Sequence, residues 1–144
     1  MKAREFVSQL RHADIVEAIR SAEKQTSGEI RVFVTRKPIE EPVKAAQEQF
    51  LRLGMEKTRE RNGVLILVAP RVNKFAVIGD KGIHERCGQE FWERMVTEMG
   101  KHFRDAHYTQ AIIHAVTTAG TQLATHFPRQ NDDRNELPDE VTGD

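Results

Sequence analysis

The spacing of hydrophobic residues predicts a chain in which helices and strands alternate. Over residues 4–25, apolar positions recur every three or four residues, as in a single amphipathic helix. Residues 29–35 alternate instead, with Ile30, Val32 and Val34 on one side and Glu29, Arg31, Phe33 and Thr35 on the other. This alternation predicts a strand with one buried face, because successive side chains of a strand point to opposite sides.

The middle of the chain predicts one helix and two buried strands. Pro42 suits the first turn of a helix that follows a loop within residues 37–58. Its predicted buried stripe consists of Val43, Ala46, Phe50 and Leu53. Residues 64–69 are apolar without a break, which favours an interior strand covered on both faces. A four-residue connector separates this run from residues 75–78, so the two strands are predicted to form an antiparallel hairpin.

The last third of the chain predicts two helices and a tail. The helices are expected over residues 85–103 and 108–127, and Pro128 ends the second one. Residues 129–144 are polar and have no periodicity, which predicts an acidic, disordered tail. The chain is therefore divided into one α/β domain, residues 1–128, and this tail.

The order of the elements predicts the fold class. A helix joins the first two strands, so they are expected to be parallel, and the third strand runs back against the second. The predicted fold is α/β, with a small mixed β-sheet of three to four strands, one helix crossover and one hairpin, flanked by helices on both faces.

Charge and cysteine content narrow the range of partners and compartments. The formal net charge of the 144 residues is zero, which argues against nucleic acid as the main partner. Residues 129–144 contain six acidic residues and two arginines, so the net charge of this tail is −4 and that of the remaining residues is +4. The tail could fold back on a basic face or remain a solvated end. The single cysteine, Cys87, excludes an internal disulfide and suits a reducing compartment.

The same sequence predicts a cytoplasmic protein. The first fourteen residues mix charges throughout and contain no apolar segment of the kind found in a secretory signal. No apolar stretch approaches the roughly 20 residues that a membrane span requires. We therefore expect no direct membrane span and leave a protein partner open.

The predicted topology gathers polar residues at one rim of the sheet. An antiparallel third strand ends where the other two begin, which brings Glu29, Asn62 and the loop at residues 79–82 together. Glu29, Asp80 and Glu85 would supply oxygen atoms, which Ca²⁺ and Mg²⁺ prefer as ligands. Asn62 and His84 are further rim candidates, and a helix that starts near Glu85 would add backbone N–H groups.

Each rim residue also has a purely structural interpretation. Asp80 lies in a Gly-Asp-Lys-Gly turn, Glu85 could complement a helix dipole, and Glu29 could face solvent. His84 and Cys87 are three residues apart and could share a helix face as soft-metal ligands, but no second His/Cys pair has zinc spacing. Cys87 as a nucleophile would need a lowered pKa and a base, which His84 could supply.

Four segments of the chain resemble the TPM-domain family of bacteria and of the plant thylakoid lumen. They are "AIRSAEKQTSGEIRVFV" (18–34), "NGVLILVAP" (62–70), "FAVIGDKGIHE" (75–85) and "FRDAHYTQAIIHAVTTAG" (103–120). The resemblance covers about residues 18–123. It implies a mixed sheet flanked by helices, and it links the chain to weak acid-phosphatase activity, calcium binding, and photosystem repair or membrane-protein assembly.

The chain departs from common TPM members at the strand end. The usual Gly-Tyr-Gly-Leu-Glu pattern is replaced by "GDKGIHE" (79–85), and "RCG" (86–88) stands where the family's next aspartate is expected. Asp80, Glu85 and Glu29 are the positions that carry over. The resemblance and the rim together predict a module that binds a divalent cation, a partner, or both. Two alternatives remain: a weak metal-dependent acid phosphatase in which N–H groups or Arg86 hold the phosphoryl oxygens, and a structural domain that uses an exposed helix face.

Overall fold

A computed structural model describes residues 1–129 and 141–144 of the chain. The described residues form six α-helices and four strands, with two short 3-10 turns at Met55–Lys57 and Pro70–Val72. In chain order, the helices and strands are α1 (Ala3–Ser8), α2 (His12–Glu23), β1 (Glu29–Val34), α3 (Pro42–Arg52), β2 (Gly63–Ala69), β3 (Lys74–Gly79), α4 (Lys81–Cys87), α5 (Gln89–Arg104), α6 (Tyr108–His126) and β4 (Val141–Gly143).

The four strands form one mixed sheet in the order β3-β2-β1-β4. β1 and β2 are parallel, and β2 and β3 are antiparallel, so both predicted strand directions are confirmed. β4 adds a parallel edge strand next to β1, with Val141 opposite Val32 and Gly143 opposite Val34. The prediction of a disordered tail is wrong for this edge strand. Residues 130–140, where the rest of that prediction falls, lie outside the described residues.

Helices cover both faces of the sheet, as predicted. Ile30, Val32 and Val34 of β1 belong to a large core with side chains of α2, α5 and α6. Phe33 belongs to a smaller core on the opposite face, with Phe50 of α3. The prediction that β1 is half-buried is wrong, because α3 and the following 3-10 turn cover its second face. Every residue of β1 is therefore buried.

Two predicted helices are each divided in the structure. Residues 4–25 break between α1 and α2, where the backbone N–H of Arg11 donates to Thr109 Oγ1 at 3.2 Å. Residues 85–103 belong to α4 and α5, which meet at Gly88. The positive φ of Gly88, 81°, is one that glycine adopts readily, and α4 ends there. The apolar period runs through both breaks, so periodicity alone could not locate them.

Candidate functional site

The rim predicted from chain direction is present at the amino-terminal ends of β1 and β2. Glu29 lies opposite Gly63 in the parallel pair. The backbone N–H of Asp80 donates to the carbonyl of the same Gly63 at 2.8 Å. Glu29 and Asp80 therefore flank one residue of β2, which confirms that both residues lie at the same end of the sheet.

Asp80 is bound by an arginine that precedes β2. The Asp80 carboxylate accepts from Arg61 Nε at 2.6 Å and from Arg61 Nη2 at 2.9 Å, one bond to each oxygen. Two parallel bonds of this kind make a strong, directional pair. The hydrogen bond and the charge of Asp80 raise the pKa of the Arg61 guanidinium above its usual range. Asp80 is 8% exposed, so this pair neutralises a buried charge.

Asp80 also starts the helix that follows it. Its Oδ1 accepts from the backbone N–H of Lys81 at 2.8 Å, which caps α4. The expectation that the helix begins near Glu85 is therefore wrong, and Glu85 is the fifth residue of α4. Because of this shift Glu85 is an exposed residue beyond the first turn.

The backbone around Arg61 is held in an uncommon conformation. Arg61 has a φ of 53°, in the left-handed region that a non-glycine residue rarely adopts. Its carbonyl accepts from the N–H of Gly82 at 2.8 Å. A Cβ at Gly82 would collide with the backbone oxygens of Glu60 and Arg61, so only glycine allows this close approach. The left-handed backbone of Arg61 and the close approach of Gly82 together keep the Arg61 side chain beside Asp80.

A pocket of about 200 Å³ lies beside the Arg61–Asp80 pair, between α3 and β3. It is lined by Gln47, Phe50, Leu51, Glu56, Arg61, Ile78, Gly79 and Asp80. Glu56 Oε2 is buried and has no hydrogen-bond partner among the described residues. The charge of Glu56 also contributes to the raised pKa of Arg61. Two carboxylates and one guanidinium thus share a small concave site, which we call the rim pocket.

The other predicted metal ligands lie outside the rim pocket. Glu29 is 1% exposed and alternates with Ile30, which places it on the α3 side of β1. Glu85 is exposed on α4. Over residues 1–129 and 141–144, no three His, Cys, Asp or Glu side chains form a group that could hold a metal ion. The set Asp80, Glu85 and Glu29 stays a prediction, since the structure brings together only the ends of the strands that carry these residues.

Asn62 and His84 make hydrogen bonds within the protein. Asn62 is 1% exposed and its Nδ2 donates to Ser27 Oγ at 3.1 Å. His84 Nδ1 accepts from Trp92 Nε1 at 3.0 Å, which ties α4 to α5. Both side chains therefore have structural roles at the rim.

Arg86 and Cys87 of α4 do not line the rim pocket and contact other parts of the protein. The Arg86 guanidinium lies 4.6 Å from the centre of the Phe127 ring, and Arg86 Nη1 donates to the Gly82 carbonyl at 3.0 Å. Cys87 Sγ lies 3.7 Å from Gln122 Oε1, and burial raises the pKa of this thiol. A raised pKa disfavours the thiolate that a nucleophile or a metal ligand requires.

Sequence reasoning missed Glu56 and Arg61. Both lie in the charged run "EKTRERN" (56–62), whose pattern is that of a solvated loop. The chain direction that placed Asn62 at the rim applies equally to Arg61, the residue before it. That adjacency was the available signal, but nothing in the sequence pairs Arg61 with Asp80.

Comparison with known proteins gives a family match and two similar folds. A sequence model described as "TPM domain" matches residues 2–122. The NMR structure of the BA42 protein from the psychrophilic bacterium Bizionia argentinensis is 36% identical, with a TM-score of 0.84 and 92% of each chain covered. The N-terminal domain of a P. gingivalis protein is 12% identical, with a TM-score of 0.61, covering 80% of this chain and 76% of that one, and shares the fold. No curated protein matches the chain.

No helix within residues 1–129 and 141–144 combines the length and the apolar character needed to cross a bilayer.

Proposed function

The chain belongs to the TPM domain family, and we propose that it is a non-catalytic binding domain whose rim pocket takes a divalent cation, Ca²⁺ or Mg²⁺. The observation that carries this proposal is Glu56 Oε2, which is buried without a hydrogen-bond partner among the described residues and shares its pocket with Asp80. A carboxylate oxygen that is buried without a hydrogen bond is costly, even where a charge such as that of Arg61 lies nearby. A cation in the pocket would supply the missing direct contact.

The chemistry of the pocket suits a hard cation. Mg²⁺ keeps several waters and is commonly held by one or two carboxylates, and Ca²⁺ also accepts amide carbonyls. Glu56 and Asp80 supply two carboxylates, and Gln47 lines the same pocket with an amide. Of the ligand set predicted from sequence, Asp80 is the member that lines this pocket.

Arg61 acts as an internal competitor in this proposal. Its guanidinium already occupies both oxygens of Asp80, so an entering cation must displace at least one of the two bonds. The Arg61 side chain is 44% exposed, which gives it room to move toward solvent. We therefore expect weak binding by the natural protein and tighter binding when Arg61 is removed.

Isothermal titration with CaCl₂ and MgCl₂ tests the proposal. We expect saturable binding by the natural protein, a loss of about tenfold or more in Glu56→Gln because a charged ligand is removed, and a gain in Arg61→Gln. Glu48→Gln is the matched control, since it makes the same change at an exposed position of α3. Absence of binding by the natural protein, or equal loss in both glutamate variants, would contradict the proposal.

A protein partner could use the same surface. Val43 and Leu51 of α3 are 50% and 62% exposed, and Leu51 also lines the rim pocket. The partner that fits this surface has an apolar patch for α3 and a lysine or arginine whose charge takes the cation position. The exposure of Val43 also corrects the predicted buried stripe of α3, which begins at Ala46 instead.

The rival function, a metal-assisted phosphomonoesterase, makes the opposite prediction for Arg61. Phosphoryl transfer needs a cationic group on the phosphoryl oxygens. Arg86 lies against Phe127, and Arg61 supplies the guanidinium among the described residues that line the rim pocket. Under this rival, Arg61→Gln abolishes hydrolysis of an aryl phosphate, measured at acidic pH with and without a chelator. Under the binding proposal, Arg61→Gln strengthens cation binding, and no turnover depends on this residue.

The compartment proposed for this binding domain is the cytoplasm. The single cysteine, Cys87, supports this proposal, because a chain without disulfide pairs suits a reducing compartment. Cell fractionation with an antibody to the protein tests it, and recovery in a membrane or extracellular fraction would contradict it.

A further inference from the structure

A second, larger pocket lies at the opposite end of the sheet from the rim pocket. Its volume is about 610 Å³, within the ~300–1,000 Å³ typical of small-molecule sites. It is bounded by the end of β2, the start of β3 and one side of α5. This is the carboxyl end of the parallel pair β1 and β2, where open α/β sheets usually bind ligands.

Aromatic rings from four elements form the wall of this pocket. They are Phe6 of α1, Phe75 of β3, Phe103 of α5 and Tyr108 of α6. Phe75 and Phe103 meet edge to face with their centroids 4.7 Å apart, and Phe6 and Tyr108 are 5.1 Å apart. Phe6 is buried, whereas the other three rings keep part of their surface exposed. The cluster therefore presents apolar surface that a ligand could bury.

A glycine in the interior of α5 keeps the pocket wide. Gly100 is an unfavourable choice for a helix interior, where alanine or leucine forms helix more readily. A Cβ at Gly100 would lie 3.6 Å from Phe75 Cζ and 3.6 Å from Arg104 Nη1, which are ordinary contacts. Alanine is therefore accommodated, but a longer side chain would extend into the space between these groups.

Among the described residues that line the pocket, the two charged side chains are both cationic. Lys74 comes from the start of β3 and Arg104 from the end of α5. Among the described lining residues there is no acid, and Asn73 and Thr97 add neutral polar side chains. In the structure Lys74 Nζ donates to the Glu40 carbonyl at 2.6 Å, a neutral acceptor that leaves its charge uncompensated by that bond. An apolar wall with two cations suits a ligand that has an apolar body and one anionic head group.

We propose that this pocket binds a small amphipathic carboxylate of the medium-chain fatty acid type. The hydrocarbon chain lies against Phe75, Phe103 and Tyr108, and the carboxylate pairs with Lys74 and Arg104. Arginine and lysine hold carboxylates through charge-assisted hydrogen bonds. The proposal does not depend on the cation site, because the two pockets share none of their described lining residues.

The test is a titration of ¹⁵N-labelled protein with decanoate, followed by amide NMR shifts. Decyltrimethylammonium is the control ligand, since it has the same chain with a cationic head. We expect decanoate to cause saturable changes in the amide shifts of Lys74, Gly100 and Phe103, and decyltrimethylammonium to cause much smaller changes. The Lys74→Met/Arg104→Met double variant is expected to bind decanoate at least about tenfold more weakly. Arg94→Met, an exposed position of α5 that does not line the pocket, is expected to change affinity less than about twofold.

Variants at Gly100 separate pocket volume from folding. Gly100→Leu should remove decanoate binding while the amide spectrum remains that of a folded protein, and Gly100→Ala should retain both. If Gly100→Leu does not fold, the decanoate affinity of the Lys74→Met/Arg104→Met variant tests the proposal instead. Three results would each overturn the proposal: no saturable decanoate shifts at the pocket, equal responses to both head groups, or full affinity in the double variant. Glu56→Gln should leave decanoate binding unchanged. A failure of the cation proposal can therefore be distinguished from a failure of the decanoate proposal.

Discussion

Arg61 and Asp80, nineteen positions apart in the chain, are joined by two hydrogen bonds of 2.6 and 2.9 Å at the amino-terminal end of β2. The pair fixes the loop before β2 against the start of α4. The pair also lines the rim pocket together with Glu56, where we propose that a cation binds. The same contact therefore serves the fold and limits access to the proposed binding site.

Gly82→Ala is expected to destabilise the protein strongly. The new Cβ would collide with the backbone oxygens of Glu60 and Arg61, and backbone atoms cannot move aside as a flexible side chain can. We expect a loss of about 2–4 kcal/mol in the free energy of unfolding, measured by urea denaturation. The control is Gly100→Ala, whose Cβ makes only ordinary contacts, and which should gain up to about 1 kcal/mol. Equal stability of the two variants would contradict the close approach.

Substitutions at Asp80 separate its two roles. Asp80→Ala removes both the helix cap on Lys81 and the pair with Arg61, and loss of the cap alone costs about 1 kcal/mol. Asp80→Asn can still cap α4 but loses the charge that pairs with Arg61. We expect thermal unfolding to rank the natural protein above Asp80→Asn and Asp80→Asn above Asp80→Ala. An asparagine variant as stable as the natural protein would show that the ion pair contributes nothing to stability.

The hydrogen bond from Trp92 to His84 gives a spectroscopic prediction. Trp92 is 4% exposed and is the only tryptophan in the chain, so its indole N–H gives one NMR signal. His84→Phe removes the acceptor and leaves this donor buried, at a cost of about 1–3 kcal/mol. We expect a shifted indole signal and a lower unfolding midpoint, whereas His12→Phe, at an exposed position, should change neither. An unmoved indole signal in His84→Phe would exclude this bond.

The docking of β4 is expected to depend on pH through Asp144. Burial alone would raise the pKa of this carboxyl, but hydrogen bonds from Thr35 Oγ1 and the Arg36 N–H, with the charges of Arg36 and Lys37, outweigh burial and lower it. A lowered pKa means that the contribution to stability is complete above the unfolded value of about 3.9 and is lost as pH falls through the folded value. We therefore expect the amide signals of Val141 and Thr142 to move toward unpaired values below about pH 4.

The control for this titration is a carboxylate outside the contact. Asp144→Asn should abolish the pH dependence of the β4 signals, and Asp105→Asn, at an exposed position, should preserve it. A β4 signal that is independent of pH in the natural protein would show that Asp144 does not hold the strand.

The central sheet and its rim could be predicted from sequence because two simple signals agree. Uninterrupted apolar runs mark the buried strands, and connection lengths set their directions, which places Glu29 and Asp80 on either side of Gly63. β4 could not be predicted from the sequence, because a strand of three residues is too short to show an alternating pattern of apolar and polar positions. Its position depends on tertiary bonds, such as that from Thr35 Oγ1 to Asp144 Oδ2 at 2.6 Å.

The composition of the site was less predictable than its place. Arg61 and Glu56 lie in a charged segment that resembles any solvated loop, and their partners are distant in the chain. Glu85 lies beyond the first turn of α4 because Asp80 caps this helix, which starts four residues earlier than the apolar period indicates. Hydrogen-bond partners of polar side chains are thus the part of this site that periodicity does not encode.

The most direct test of the cation proposal observes the carboxyl carbons of the rim pocket. The ¹³C shifts of Glu56 Cδ and Asp80 Cγ should be followed in ¹³C-labelled protein while CaCl₂ is added at constant ionic strength. We expect both signals to move together along one saturable curve, with Glu48 Cδ unchanged. Carboxyl signals of Glu56 and Asp80 that stay fixed through the titration would contradict the proposed site.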